Sequence, residues 1–460
     1  MTKIGIIILA AGLGKRMKSS LPKVMHKLCG KPIIKYCIET ALSLNPDICC
    51  AVLGYKHELV KQLIPDQIKI SLQEQQLGTG HAVIQASEHF SNFDGKILIL
   101  CGDVPLLKPA TLKKIISHYE TQSADAVILT AELENPSGYG RILRNEDNSV
   151  SSIVEEKDAD KEIKLIKEIN SGIYCFNSKL LFQYLPQLKN KNAQSEYYLT
   201  DIISLMVEKK HKVCAVKIKD YIEMEGINNP IQLAELEKET YRSTAYSYLE
   251  KGVIILDPEN TYIDSDTKIG IETTVYPVTR INCSIIGKNC IITGSTVENC
   301  EIKDNVLIGK SVLKGSIIFS NSEIGDFNSI SYSEIKQNSK IGNCNIIINS
   351  KLGQNTKIQN NCSIEYIESG KDCLYSNNSS ICSFDGLNSH KSVIGNETFI
   401  GAGCSIVSPV NIGNSSYITS GTTVIKDVNE NCLVMSRPET IIKQGYVDKL
   451  KKKLEPCEVK

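Results

Sequence analysis

The chain has 460 residues with 52 Lys and Arg against 52 Asp and Glu, so its formal net charge is zero. That length suits two or three domains, and the charge balance argues against nucleic acid or an acidic membrane as a partner. No apolar run approaches the ~20 residues needed to span a bilayer; the 17 cysteines are scattered with no Cys-x-x-Cys pair, which reads as reduced thiols serving as small core hydrophobes in a cytoplasmic protein rather than as disulfides or a zinc site.

The first strand is expected over residues 3–9, where Ile6-Ile7-Ile8-Leu9 runs into Ala10-Ala11-Gly12 and a loop carrying Lys15, Arg16 and Lys23. Small residues let the backbone approach a ligand closely, and its N–H groups together with those cations suit phosphate oxygens. The loop reads as a nucleotide site. It is not a Walker A loop, since the Gly-x-x-x-x-Gly-Lys-Ser/Thr spacing is missing, and Met17 stands where a dinucleotide-binding fingerprint needs its third Gly. A secretory signal peptide is excluded because the apolar run is only about eight residues long and meets a basic loop at once.

Further strands are expected over 48–53, 68–72, 96–101, 124–131 and 169–176, and helices over 57–63, 80–90, 110–119 and 199–208. Alternating elements of this kind predict an α/β domain around a mostly parallel, Rossmann-like mixed sheet that binds ligands at the carboxyl ends of its strands. Residues 230–251 form one long helical pattern, read as a connector. After Gly252 the apolar residues recur every six positions, as in Ile394, Ile400, Ile406, Ile412, Ile418 and Val424, and in Leu352, Ile358 and Ile364. A six-residue period predicts a left-handed parallel β-helix of hexapeptide repeats with about ten coils, and excludes a sandwich, whose strands alternate at period two. The expected organisation is therefore a nucleotidyltransferase domain over 1–228, a helical linker over 229–252, an all-β helix over 253–437 and a solvated tail over 438–460.

Asp103, in Cys101-Gly102-Asp103-Val104-Pro105-Leu106, falls at the end of a buried strand, where a Mg²⁺ ligand would sit; a helix N-cap ahead of Pro105 is the plainer alternative. With the opening loop, the segments Gln76-Leu77-Gly78-Thr79-Gly80-His81-Ala82, Gly138-Tyr139-Gly140-Arg141, Ile153-Val154-Glu155, Glu168-Ile169-Asn170, Glu196-Tyr197-Tyr198-Leu199-Thr200-Asp201 and Glu225-Gly226-Ile227-Asn228-Asn229 follow in order. This series resembles the sugar-nucleotide pyrophosphorylases, most of all the bacterial bifunctional N-acetylglucosamine-1-phosphate uridylyltransferase/glucosamine-1-phosphate acetyltransferases. The resemblance implies UTP and N-acetylglucosamine-1-phosphate as substrates and Mg²⁺ as cofactor. Leu9, Ala10, Ala11 and Gly12 would surround the uridine, and Gln73, Gly78 and Thr79 would read uracil. Arg16 would hold the β and γ phosphates and Lys23 the α phosphate, with Asp103 and Asn228 on the metal; Arg16, Lys23 and Asp103 form the catalytic set. Gly140, Glu155 and Asn170 would bind the acetamido sugar, with Tyr197 and Thr200 alongside. Cys101 stands where that family carries Tyr.

The chemistry agrees with the resemblance. A sugar-1-phosphate is largely ionised at neutral pH, its second pKa being about 6, so the nucleophile needs no general base; metal, cations and alignment suffice. His81, beside a Gly-Thr-Gly turn, is expected to cap or pack rather than catalyse.

In the second half the resemblance implies a trimeric acetyltransferase that uses acetyl-CoA and a catalytic His. That His position is Asn360, whose amide cannot accept a proton usefully. The nearby Tyr position is Ser363, a Lys position is Ile348 or Asn349, and a second Lys position is Ser389. Arg437 alone matches an acetyl-CoA contact. His390 is the one His after residue 252 and is expected on a surface loop. The expected outcome is a β-helix retained as a homotrimer scaffold with acetyl transfer lost or weakened. The alternatives are a fully bifunctional enzyme with a displaced base, another sugar-1-phosphate nucleotidylyltransferase, or a scaffold without activity.

Overall fold

The computed structural model describes residues 3–436 and 440–454. The chain divides into two compact units, Met1–Thr240 and Tyr241–Lys460.

The first unit is built on a twisted mixed sheet. Its strands are β1 (Lys3–Ala10), β2 (Ile48–Leu53), β3 (Lys69–Leu72), β4 (Gly95–Cys101), β5 (Ala126–Glu132), β6 (Arg141–Arg144), β7 (Val150–Val154), β8 (Glu168–Asn177) and β9 (Val213–Ile218). The order across the sheet is β9-β5-β8-β4-β1-β2-β3, and the β6–β7 hairpin pairs with β8. β1 runs parallel to both β2 and β4, while β8 is antiparallel to β4 and β5. Ile6 and Ile8 belong to one apolar core and Ile7 to another. Burial on both faces is why β1 is an unbroken apolar run rather than an alternating one.

Helices α1 (Ile33–Leu42), α2 (His57–Lys61), α3 (Thr79–Gln85), α4 (Pro109–Thr121), α5 (Ser178–Tyr184) and α6 (Asp201–Glu208) surround this sheet. The expected helix over 80–90 is in fact α3 followed by a separate 3₁₀ turn at Ser87–Phe90. Strands β6, β7 and β9 and helices α1 and α5 were not anticipated. β6 (Arg-Ile-Leu-Arg) and β7 (Val-Ser-Ser-Ile-Val) are short and interrupted by Arg or Ser, and β9 contains Lys217, which weakens an apolar-run signal. α5 starts at an Asn177 cap that accepts from the backbone N–H groups of Lys179 and Leu180.

The long helix α7 spans Pro230–Leu249. Its first half packs within the first unit, with Leu236 buried and Glu237 accepting from the Cys29 amide. Ala245 and Tyr248 of its second half belong to the core of the second unit.

The second unit is a left-handed parallel β-helix. Three sheets of 11, 10 and 9 parallel strands form its faces. The first face runs from Ile254–Ile255 to Leu433–Val434, the second from Tyr262–Ile263 to Thr423–Val424, and the third from Lys268–Ile269 to Asn411–Ile412. Buried aliphatic residues such as Ile330, Ile347 and Ile364 stack along the axis, with Tyr375 in that place in the strand Leu374–Tyr375. A strict six-residue period holds in an early coil, where Tyr262 pairs with Arg280, and again near the end, where Phe399 pairs with Tyr417; pairs between them such as Leu307↔Glu323 and Lys340↔Lys357 close shorter coils. One coil is enlarged, since Leu374 pairs with Phe399 across an excursion that includes residues 383–391.

Corner chemistry explains the density of Asn. Asn305, Asn321, Asn338 and Asn355 all adopt left-handed backbone conformations, which Asn tolerates better than most residues. Their side chains hydrogen-bond in sequence, Asn305 to Asn321, Asn321 to Asn338, Asn338 to Asn355 and Asn355 to Asp372. Cys290, Cys362, Cys373 and Cys404 are free thiols buried in the β-helix core.

Ile347 is fully buried in the stack. Ile347→Ala is expected to cost about 2–5 kcal/mol, read as a lower denaturant midpoint for the β-helix transition; an unchanged midpoint would contradict a close-packed axis.

Candidate active site

The first site lies at the carboxyl ends of β1 and β4. The Gly102 amide donates to the Leu9 carbonyl at 2.9 Å. A Cβ there would lie 3.1 Å from that oxygen, so a larger residue would push the strand ends apart by a few tenths of an ångström. A cavity of about 370 Å³ opens between the loop after β1, the segment from Gln73 to Thr79, and the end of β4. Leu9, Ala10, Ala11, Gly12, Gln73, Gly78 and Thr79 all line it, as do Lys23 and Asp103.

Two glycines fix the walls. Gly14 has φ +60°, and a Cβ on it would press to 2.9 Å from the Lys23 Cβ. Gly78 has φ +110°, with the Tyr197 carbonyl 2.6 Å from where its Cβ would lie. The Gly78 region is clamped to Tyr197 from both sides, because the Tyr197 amide donates to Leu77 and the Tyr197 carbonyl accepts from Gly80. The Thr79 hydroxyl oxygen accepts from the Leu199 amide at 3.0 Å.

The charged end is a knot of four side chains. The Lys23 ammonium bonds the Asp103 carboxylate and lies 3.1 Å from Asn228 Oδ1. Arg16 Nη2 donates to the same Asn228 oxygen at 2.9 Å. The Asp103 main-chain carbonyl accepts from the Ile227 amide, which holds the 226–228 segment beside the loop. A carboxylate oxygen and an amide oxygen therefore converge on a single cation.

The five residues assigned to the sugar do not line the cavity but gather beside it. Asn170 donates its amide to the Gly140 carbonyl, and a Cβ on Gly140 would sit 3.4 Å from Glu155 Oε2. The Thr200 hydroxyl donates to Glu155 at 3.2 Å, and the Asn170 side chain donates to the Tyr174 hydroxyl. Burial pushes the Glu155 pKa up, against the opposing pull of the Thr200 hydroxyl. Two cavity residues border this cluster. Glu196 immediately precedes Tyr197, and the Cys101 thiol donates to Gly172. Burial, reinforced by Asp103, pushes that thiol up to about 12, so it stays protonated.

Glu196, Gln76 and Leu13 also line the cavity without having been assigned roles. Glu196 could have been found from its place in the Glu-Tyr-Tyr-Leu-Thr-Asp segment; Leu13 and Gln76 sit beside assigned residues with nothing chemical to mark them. His81 packs as anticipated, its ring nitrogens meeting Gln73 at 3.0 Å and Gln85 at 3.2 Å.

In the second unit Asn360 is built into a corner. Its side-chain oxygen accepts from the Asn343 amide at 2.7 Å, and its own amide donates to Asn377 at 2.9 Å. It occupies the turn between strands Lys357–Ile358 and Ser363–Glu365. His390 lies on a different corner, in the excursion between Ser380–Cys382 and Ser392–Ile394, bonded to Asp385 at 2.7 Å. Arg437 falls outside the described residues.

Residues 5–226 match the family described as nucleotidyl transferase. Over nearly the whole chain, the protein is 40% identical to the bifunctional protein GlmU of Acetivibrio thermocellus, with 96% of this chain and 97% of that one aligned. It is 40% identical to GlmU of Geotalea daltonii, over 98% of this chain and 100% of that one. Against GlmU of Thermosipho africanus the identity is 41%, over 96% of each chain. The chain belongs to the GlmU family. Its first unit is thus a nucleotidyltransferase, and the cavity at the strand ends brings Lys23 and Asp103 together with Gln73, Gly78 and Thr79. The resemblance to bifunctional uridylyltransferase/acetyltransferases and the two-part fold stand with it. No helix among the described residues is long and apolar enough to cross a membrane.

Gly78→Ala must relieve both the positive φ and the contact with Tyr197. It is expected to weaken nucleoside triphosphate binding at least about tenfold by calorimetry; wild-type affinity would show that the Gly78–Tyr197 clamp does not shape the cavity.

Proposed function

We propose that this protein transfers UMP from UTP to N-acetylglucosamine-1-phosphate, giving UDP-N-acetylglucosamine and pyrophosphate. The observation that carries the reading is the knot in which Arg16 and Asn228 join Lys23 and Asp103, two residues that line the same cavity as Gln73, Gly78 and Thr79. Gln73, Gly78 and Thr79 would serve the base, the cationic knot the phosphates, and the cluster around Glu155 and Asn170 the acetamido sugar. The Gln-Leu-Gly-Thr-Gly segment favours uracil over other bases.

Two phosphorylated anions repel each other, so the site must supply positive charge and hold the sugar phosphate in line with the α phosphate. Arg16 would hold the β and γ phosphates, and Lys23 would meet the charge that builds on the α phosphate. Asp103 and Asn228 suit Mg²⁺: their two oxygens already meet one cation, and Mg²⁺ prefers few protein oxygens with water and phosphate completing its shell. The described residues accordingly contain no cluster of three His, Cys, Asp or Glu for a metal. When bound there, Mg²⁺ would neutralise phosphate charge. The raised Glu155 pKa fits a carboxyl group kept from water until the sugar's hydroxyl or amide groups satisfy it.

Pyrophosphate release from UTP and N-acetylglucosamine-1-phosphate in the presence of Mg²⁺ tests this reading. Asp103→Ala and Lys23→Ala should each lower it about a hundredfold or more. Full activity in either variant, or an equal rate with a different sugar-1-phosphate and base, would overturn it.

For the second unit we infer that the β-helix serves as a trimerisation scaffold whose acetyl transfer is lost or severely weakened. Support comes from Asn360, which has no basic lone pair and whose side-chain oxygen is occupied by the Asn343 amide. The position of His390 on another corner supports it further. CoA release from acetyl-CoA and glucosamine-1-phosphate should be negligible; a turnover comparable to uridylyl transfer would sink the inference. The protein is read as a cytoplasmic enzyme with no nucleic-acid or membrane partner.

A further inference from the structure

His81 belongs to no assigned role, yet both of its ring nitrogens are engaged in the wall of the nucleotide cavity. Gln73 follows β3, with its amide bonded to the Leu53 carbonyl, and its side chain is 3% exposed. Its Nε2 donates to the Gly78 carbonyl at 3.0 Å and meets His81 Nδ1 at 3.0 Å. A carbonyl can only accept, so the amide group must present its NH₂ end to Gly78. The second N–H of that NH₂ then points at His81 Nδ1, which must carry a lone pair. The imidazole proton is thereby placed on Nε2, 3.2 Å from Gln85 Nε2, which also donates to the His81 carbonyl at 3.3 Å; that contact, longer than both of Gln73's, yields, and Gln85 turns its carbonyl end to the ring N–H. Both N–H groups of Gln73 are spent on the wall, and Oε1 is the atom left for the cavity.

We propose that His81 is a positioning residue that locks the Gln73 carboxamide with Oε1 toward the base and so sets the preference for uracil over cytosine nucleotides. The proposal rests on the reading of Gln73 as the uracil contact given above. Uracil carries an N3–H that Oε1 accepts; cytosine carries a lone pair at N3, which Oε1 repels. A half-turn of the amide would reverse that preference. Gly78 alone holds one N–H; with His81 gone the other is left unanswered in a buried site, and the turned amide becomes competitive.

The test compares kcat/KM for UTP and CTP, at saturating N-acetylglucosamine-1-phosphate and Mg²⁺, in the full-length protein and in His81→Leu, His81→Asn and Gln73→Leu. Asn places its Oδ1 where His places Nδ1, so it keeps the acceptor. His81→Leu is expected to lower the UTP:CTP ratio about tenfold, mainly through KM for UTP, with KM for the sugar phosphate unchanged. His81→Asn should retain the wild-type ratio, and adding His81→Leu to Gln73→Leu should lower it no further. A wild-type ratio in His81→Leu, or an equal fall in the Leu and Asn variants, overturns the proposal. If His81→Leu does not fold, His81→Asn decides alone, since a ratio as low as that of Gln73→Leu refutes the acceptor role. If Gln73→Leu itself keeps the wild-type ratio, the uracil reading of Gln73 fails instead.

Discussion

Lys23 lies 80 residues from Asp103 and 205 from Asn228 along the chain, yet one ammonium touches oxygens from both. Each partner arrives by a different route. Lys23 rides on the loop that leaves β1, Asp103 follows β4, and Asn228 precedes α7. β1 and β4 are adjacent and parallel, so their carboxyl ends emerge together, and the Ile227 amide on the Asp103 carbonyl brings in the third segment. Most of the first unit serves to make that meeting point rigid. The two apolar cores on either side of β1 hold the strand ends in register, and glycines at 14, 78 and 102 let the walls of the cavity approach one another closely.

Legibility followed chemistry more than secondary structure. The buried run of β1, the glycines of the loop and the cations at 15, 16 and 23 could be read because each has one physical use in that order. The hexad pattern of the second unit was equally plain, since a stacked Ile or Leu is required once per face. The strand over 169–176 could be read but its antiparallel direction could not, and the β6–β7 hairpin was hidden because both strands are short and interrupted by Arg or Ser. The strict period also failed in most coils. Corner length is set by the backbone conformation of Asn and Gly rather than by the apolar repeat, so counting Ile alone overstates the regularity. His81 was read as packing, which it does; that its packing dictates the hydrogen-bond polarity of Gln73 follows only from the distances.

The two units solve different problems of polar satisfaction. In the first, Gln73 and Asn170 are buried and Glu155 half-buried, and each is held by one or two neighbours. In the second, polar side chains at the corners bond to the next coil, amide to amide, and little remains unspent. Asn360 illustrates the difference. At a corner where a base would need a free lone pair, its oxygen is already committed to the coil before it.

That arrangement has a consequence for how the chain can change over generations. A coil of the β-helix meets only the coils above and below it, so a corner residue can be exchanged with the cost confined to its neighbours. The knot around Lys23 draws on segments from across a whole domain, and no one member can drift without stranding a charge on another. Selection relaxed on both sites alike would leave the stacked half standing and chemically silent long before the first site lost its form.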